Sequence, residues 1–251
     1  MDRAASIGIF TVSIGHHEPN EVSSFLRRND ICIVELRCPN HLDLKLANIL
    51  LGRETRIISV NPRWCIANDN LDELESYAKV ARNLHAQGIR VFSGRLPLPR
   101  QPGYHDEMKT VTKKTTEAID VVEAYGKSII VELHQPDMLC HYKQIEDYAR
   151  EMKSTGNLRN IGFNPDPINL YIGYLCQGMK KDRAMEATYH TYHESFKLGI
   201  PISVVHVKNV RYLGEGEAGE LFTPTGLSEF DLAGNKFEWT NDLHGDIEWT
   251  K

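Results

Sequence analysis

Val204-Val205-His206-Val207-Lys208-Asn209-Val210 is an apolar, β-branched run interrupted by an imidazole and, two positions later, by a cation. Alternation along a strand puts His206 and Lys208 on one face, turned away from the packing around Val205 and Val207. Two earlier runs end in a similar way. Ile129-Ile130-Val131-Glu132-Leu133-His134 stops on a carboxylate and an imidazole, and Ile161-Gly162-Phe163-Asn164-Pro165-Asp166-Pro167 stops on an aspartate between prolines. Glu, Asp and His at the C-terminal ends of three successive strands predict a divalent-metal site in the mouth of a barrel, the end at which barrels carry their chemistry.

Four further strand-like runs precede these, at residues 7–13, 31–37, 56–60 and 89–95. Between them lie helical patterns. The first starts at Pro19, suited to a first turn, and reaches Arg28. The second runs from Leu42 to Leu51 and stops at Gly52. Residues 70–87 give the clearest helix, with Asn70 as cap, Asp72 and Glu73 in the first turn and Gly88 as stop. A proline-rich loop (Pro97, Pro99, Pro102) leads into a long helix to about Tyr125, and further helices are predicted over 141–153 and 182–198. Seven strands alternating with helices, one every ~25 to 40 residues, predict an α/β chain folded as a single (β/α)8 TIM barrel across residues 1–251. A doubly wound sheet is the alternative, but Gly15-His16-His17 is not the Gly-rich first turn that such sheets use.

The end of the chain departs from this rhythm. After Lys208 come Gly214-Glu215-Gly216-Glu217, a polar stretch to Trp239, and Gly245-Asp246-Ile247-Glu248-Trp249. No eighth apolar strand or closing helix is evident, so the eighth unit is predicted to be incomplete. Truncation is favoured over an open barrel or a tail replaced by another subunit. An open position would expose apolar barrel surface, which leads us to expect homo-oligomers.

Composition narrows the class. At 251 residues, with 41% hydrophobic and 25% charged residues, the chain is ordinary for a globular protein. It has no apolar stretch near the ~20 residues of a membrane helix, and its first residues carry no signal-peptide pattern. Five cysteines without CxxC spacing predict reduced thiols and a cytoplasmic location. The net charge of -5 argues against a nucleic-acid partner.

The segments Ile89-Arg90-Val91-Phe92-Ser93-Gly94, Val131-Glu132-Leu133-His134, Gly162-Phe163-Asn164-Pro165-Asp166-Pro167-Ile168-Asn169-Leu170 and His206-Val207-Lys208-Asn209 occur in an order that resembles the xylose-isomerase-like superfamily. This superfamily comprises sugar isomerases, sugar-phosphate isomerases and epimerases, and the resemblance runs from about Ser6 to Trp249. It implies a divalent cation (Mn, Mg, Co or Zn) held by Glu132, Asp166 and His206, with a fourth ligand from an eighth strand that this sequence does not supply. Asn169 stands where the epimerase branch has a histidine, and Arg211 falls near an arginine that contacts substrate there. Lys208, His134 and His16, read from their positions at strand ends and loops, complete the candidate substrate contacts. A cation held by carboxylates and one imidazole can bind adjacent sugar oxygens and stabilise the enediolate left by proton removal next to a carbonyl. Glu132 is the first candidate for the base. The resemblance therefore predicts a metal-dependent isomerase or epimerase acting on a small carbohydrate.

Structural readings stand beside these. Glu132 suits a salt-bridging carboxylate, Asp166 an Asx turn, His206 a satisfied core histidine and Lys208 an ordinary ion pair. Glu35 and Arg37 suit an internal ion pair as well as a site, and Trp64 suits loop packing. His17 shares the strand end with His16, and Gly214 to Gly216 reads as a loop before a phosphate cradle. Three rival functions remain. The first is dehydration of a polyol or keto acid, or cleavage of a sugar conjugate, on the same fold. The second is abasic-site repair, which needs more His and Asp ligands and a basic face. The third is a non-catalytic barrel that has lost its fourth ligand.

Overall fold

A six-stranded, all-parallel sheet with neighbours in strict chain order, β1 to β6, forms the centre of the computed structural model. Its strands are β1 (Ile9–Phe10), β2 (Ile33–Arg37), β3 (Arg56–Asn61), β4 (Gly88–Phe92), β5 (Ser128–Leu133) and β6 (Ile161–Pro165). Consecutive order leaves no point at which the winding reverses, which separates a barrel from a doubly wound sheet. The structure describes residues 8–10, 18–37, 41–52, 55–94, 96–134, 139–206, 209–215, 229–232 and 235–240. The helices that follow the strands are α1 (Pro19–Arg28), α2 (His41–Leu51), α3 (Leu71–Asn83), α4 (Tyr104–Glu123), α5 (Tyr142–Thr155), and the pair α6 (Pro167–Cys176) and α7 (Lys181–Ser195).

Local chemistry explains the boundaries. β5 and β6 read as nearly unbroken buried runs because a parallel sheet is covered on both faces. In α3, Leu74, Ala78 and Ala81 make the buried stripe, and the Asn70 side chain accepts from the Asp72 N–H at 3.0 Å. This helix ends earlier than its sequence predicts. His85 takes a left-handed conformation (φ 54), and the Ala86 N–H returns to the Ala81 carbonyl at 2.9 Å. Gly88 is not the stop. It opens β4, where a Cβ would meet the Ser128 carbonyl oxygen at 2.8 Å. α5 starts with a reciprocal cap between His141 and Gln144. Trp64 is buried and donates its indole N–H to the Asn70 carbonyl at 3.0 Å.

Beyond β6 the sheet continues through residues 201–206, which are too irregular to form a strand. Ile202 bridges Phe163 in parallel sense. The Phe163 N–H donates to Pro201, the Ser203 N–H to Phe163 and the His206 N–H to Pro165, at 2.7, 2.9 and 3.3 Å. The predicted seventh strand over 204–210 is thus corrected at both ends. The barrel pairing lies earlier, and from Asn209 the chain enters a separate antiparallel sheet. That sheet has the order β7-β9-β8, with β7 (Asn209–Glu215), β8 (Glu229–Leu232) and β9 (Asn235–Thr240). The stretch read as merely polar contains this hairpin, because antiparallel strands tolerate a solvated face and need no apolar run. Among the described residues the barrel shows no eighth parallel strand. No helix among them is long and apolar enough to cross a membrane.

Candidate metal centre

Glu132 lies in β5, in register with Phe92 of β4 and Asn164 of β6, and is buried. Asp166 follows β6 and caps α6. Its Oδ1 accepts the Ile168 and Asn169 N–H groups, both at 3.1 Å, which leaves Oδ2 for the interior. Pro167 in the first turn needs no hydrogen bond, so the fold loses nothing by placing it there. His206 reaches the same end of the sheet through its backbone bond to Pro165. The three residues named from the strand ends are therefore brought together. One ligand atom from each lies within 4.8 Å of the others.

The His206 Nδ1 faces this group, 3.3 Å from Asp166 Oδ2 and 3.6 Å from Glu132 Oε1. Ligands bound to zinc at ~2.1 Å in a tetrahedron sit ~3.4 Å apart, so these spacings fit a bound ion. The opposite ring nitrogen, Nε2, lies 3.0 Å from Glu35 Oε2. Arg90, buried in β4, donates to Glu35 from Nε and to Glu132 from Nη1. The Asn169 amide donates to Glu132 Oε1 at 3.2 Å and to Asp166 Oδ2 at 2.9 Å.

Charge gives a second test of fit. Three buried carboxylates, Glu35, Glu132 and Asp166, face one buried guanidinium. With a neutral imidazole, the group lacks the charge that a divalent cation brings. Without a cation, His206 compensates. Burial pushes its pKa down, but its hydrogen bonds to Asp166 and Glu35 outweigh burial and hold it above the ordinary histidine value. Burial pushes Glu35 up, yet Arg90 and His206 prevail and keep it below the usual carboxylate range.

The other predicted residues are spread differently. Asn169 is buried beside the triad. His134 packs edge-on against Phe92, with ring centroids 5.1 Å apart. Arg211 is in β7, its backbone in register with Glu238 of β9. His16, His17 and Lys208 lie outside the described residues. Sequence reasoning gave Arg90 no role of its own and paired Glu35 with Arg37, whereas the partners of Glu35 in the structure are Arg90 and His206. The available signal was the presence of a full charge in the middle of each apolar strand, since such residues are seldom buried unpaired.

The model of the family described as Xylose isomerase-like TIM barrel matches residues 2–234, and the chain belongs to that family. Solved structures share the fold. The probable 3-DHS dehydratase AsbF of Bacillus anthracis, involved in petrobactin synthesis, is 15% identical with a TM-score of 0.62, over 82% of this chain and 74% of that one. A xylose isomerase-like TIM barrel protein from Mycobacterium smegmatis, in complex with magnesium, gives 13% and 0.61 over 98% and 84%. An L-ribulose 3-epimerase gives 14% and 0.54 over 67% and 62%. No curated protein matches the sequence.

Proposed function

We propose that the protein is a divalent-metal-dependent isomerase or epimerase that moves a proton next to the carbonyl of a small sugar or sugar phosphate. The observation that carries this reading is the convergence of Glu132, Asp166 and His206 on one point at the C-terminal end of a parallel barrel. A bound cation would supply Lewis-acid polarisation of the substrate carbonyl. Asp166 would hold it through Oδ2 and His206 through Nδ1. Glu132 would serve as ligand and base. Arg90 holds its Oε2, while Oε1, which accepts from the Asn169 amide, is the oxygen turned toward His206 and the centre of the site. Asn169, which bridges the two carboxylates, sets the direction of both. Lys208, Arg211, His134 and His16 remain candidates for contacts to the sugar. Among the described residues Cys32, Cys65, Cys140 and Cys176 form no disulfide, which suits a reducing, cytoplasmic setting.

The test begins with the metal content of purified protein beside Glu132→Gln and His206→Ala. About one equivalent in the wild type, lost in both variants, is the expected result. Solvent deuterium uptake into a panel of ketoses, aldoses and their phosphates then identifies the substrate. Uptake with loss of water would move the assignment to a dehydratase. A protein that takes up no Mn, Mg, Co or Zn on soaking would end the enzyme reading in favour of a non-catalytic barrel.

A further inference from the structure

We infer that Glu35 is a positioning residue, a carboxylate from β2 that fixes the ring of His206 in the Nε2–H tautomer and so turns the Nδ1 lone pair toward Glu132 and Asp166. The inference rests on the metal-centre reading above and assigns a role outside the triad.

The geometry is specific. Glu35 Oε2 lies 3.0 Å from His206 Nε2, while Nδ1 points the other way, at Asp166 Oδ2 and Glu132 Oε1. An ionised carboxylate can only accept, so the Glu35 contact holds a proton on Nε2, and in the charged ring Nδ1–H donates to Asp166 Oδ2 as well. When Nδ1 gives up its proton to a cation, its lone pair already faces the other two carboxylates while Glu35 keeps the proton on Nε2. A ring nitrogen that ligates a metal typically has its opposite N–H held in this way, which fixes both tautomer and ring plane.

Glu35 is in turn fixed. Its Oε1 accepts from Arg90, whose Nη1 reaches Glu132. One guanidinium thus ties the carboxylate behind the histidine to the carboxylate beside it, in a group of side chains almost wholly removed from solvent.

The test uses the full chain with 15N-labelled histidine, metal-free and at alkaline pH, with His206→Gln to assign the ring signals. The wild type should show the Nε2–H tautomer alone. Glu35→Gln, whose amide can donate as well as accept, should give a mixture of tautomers. Its affinity for zinc or manganese, by calorimetry, should fall ~10- to 100-fold. Should loss of the charge opposite Arg90 prevent folding, Glu35→Gln/Arg90→Gln removes both charges and carries the same readout. A variant with the wild-type tautomer and an affinity within about twofold of wild type overturns the inference. Wild-type Nε2–H, released by Glu35→Gln in a protein that binds no metal, upholds Glu35 as the positioning group and overturns the metal reading alone.

Discussion

Asn169 is bound to Asp166 twice. Its backbone N–H donates to Oδ1 at 3.1 Å, and its side-chain amide donates to Oδ2 at 2.9 Å. The first bond belongs to the helix cap and the second to the candidate metal centre. One carboxylate thus caps the helix with one oxygen and faces the candidate metal centre with the other.

This division makes the two roles separable. Asparagine caps helices about as well as aspartate does, so Asp166→Asn should retain most of the stability while losing the charge that a cation needs. Asp166→Ala should lose both, with the missing cap costing about 1 kcal/mol. Urea midpoints and metal titrations of the two variants decide it. A metal affinity for Asp166→Asn equal to wild type would show that Oδ2 holds no ion.

Arg90 is the buried counter-charge of Glu35 and Glu132. Arg90→Met leaves both carboxylates without it, and breaking a buried pair from one side costs about 3–5 kcal/mol. The expected result is that loss in a chelator, partly recovered at saturating divalent cation because binding to the folded state stabilises it. Denaturant titrations with and without metal measure both values. No recovery would place the cation elsewhere.

Gly162 lies where β6 meets residues 201–206. A Cβ there would press on the Ser203 side chain and sit 3.2 Å from the Pro201 carbonyl oxygen. Gly162→Val should push that segment away from β6 and move His206 with it. Metal affinity is expected to fall about tenfold or more, which corresponds to 1.4 kcal/mol. The Ser203 amide, bonded to the Phe163 carbonyl at 2.9 Å, should exchange faster with solvent. Slow exchange together with weak metal binding would contradict the coupling.

Asp147 gives a pH test away from the site. It lies on α5, takes the Tyr104 hydroxyl at 2.8 Å and faces Lys143 and Arg150 at 3.0 and 2.6 Å. Burial pushes its pKa up, but Lys143, Tyr104 and Arg150 together hold it below the ordinary value of 3.8. Its stabilisation is therefore complete above the unfolded value and is lost as pH falls through the lower folded one. Urea midpoints followed from neutral to acid pH should fall less steeply for Asp147→Asn than for wild type. Parallel curves would count against the assignment.

How much of this was legible depended on whether a feature was local. Glu132 and Asp166 close apolar runs and His206 interrupts one, and a polar residue so placed can be read from one segment. The Glu35–Arg90 pair cannot, because its members are 55 positions apart, on β2 and β4, and strand periodicity does not tell which side chains meet across an intervening strand. The predicted strand over 204–210 merged two segments. Residues 201–206 follow the barrel and β7 joins an antiparallel sheet, yet Val204, Val205, Val207 and Val210 run across the junction without a break. The end of α3 was misplaced because His85, a non-glycine residue, takes the left-handed turn that glycine usually provides.

The contact between Glu35 and His206 joins residues 171 positions apart. Chains pay the entropy of closing such loops before the contact can reward them, so pairings of neighbouring strands are favoured early and this one late. The sheet from β2 to β6 can form from successive local units while the imidazole is still remote from its carboxylate. Capture of a metal ion by His206 would therefore come at the close of folding, and a partly folded barrel, however rich in strand and helix, would remain blind to the ion.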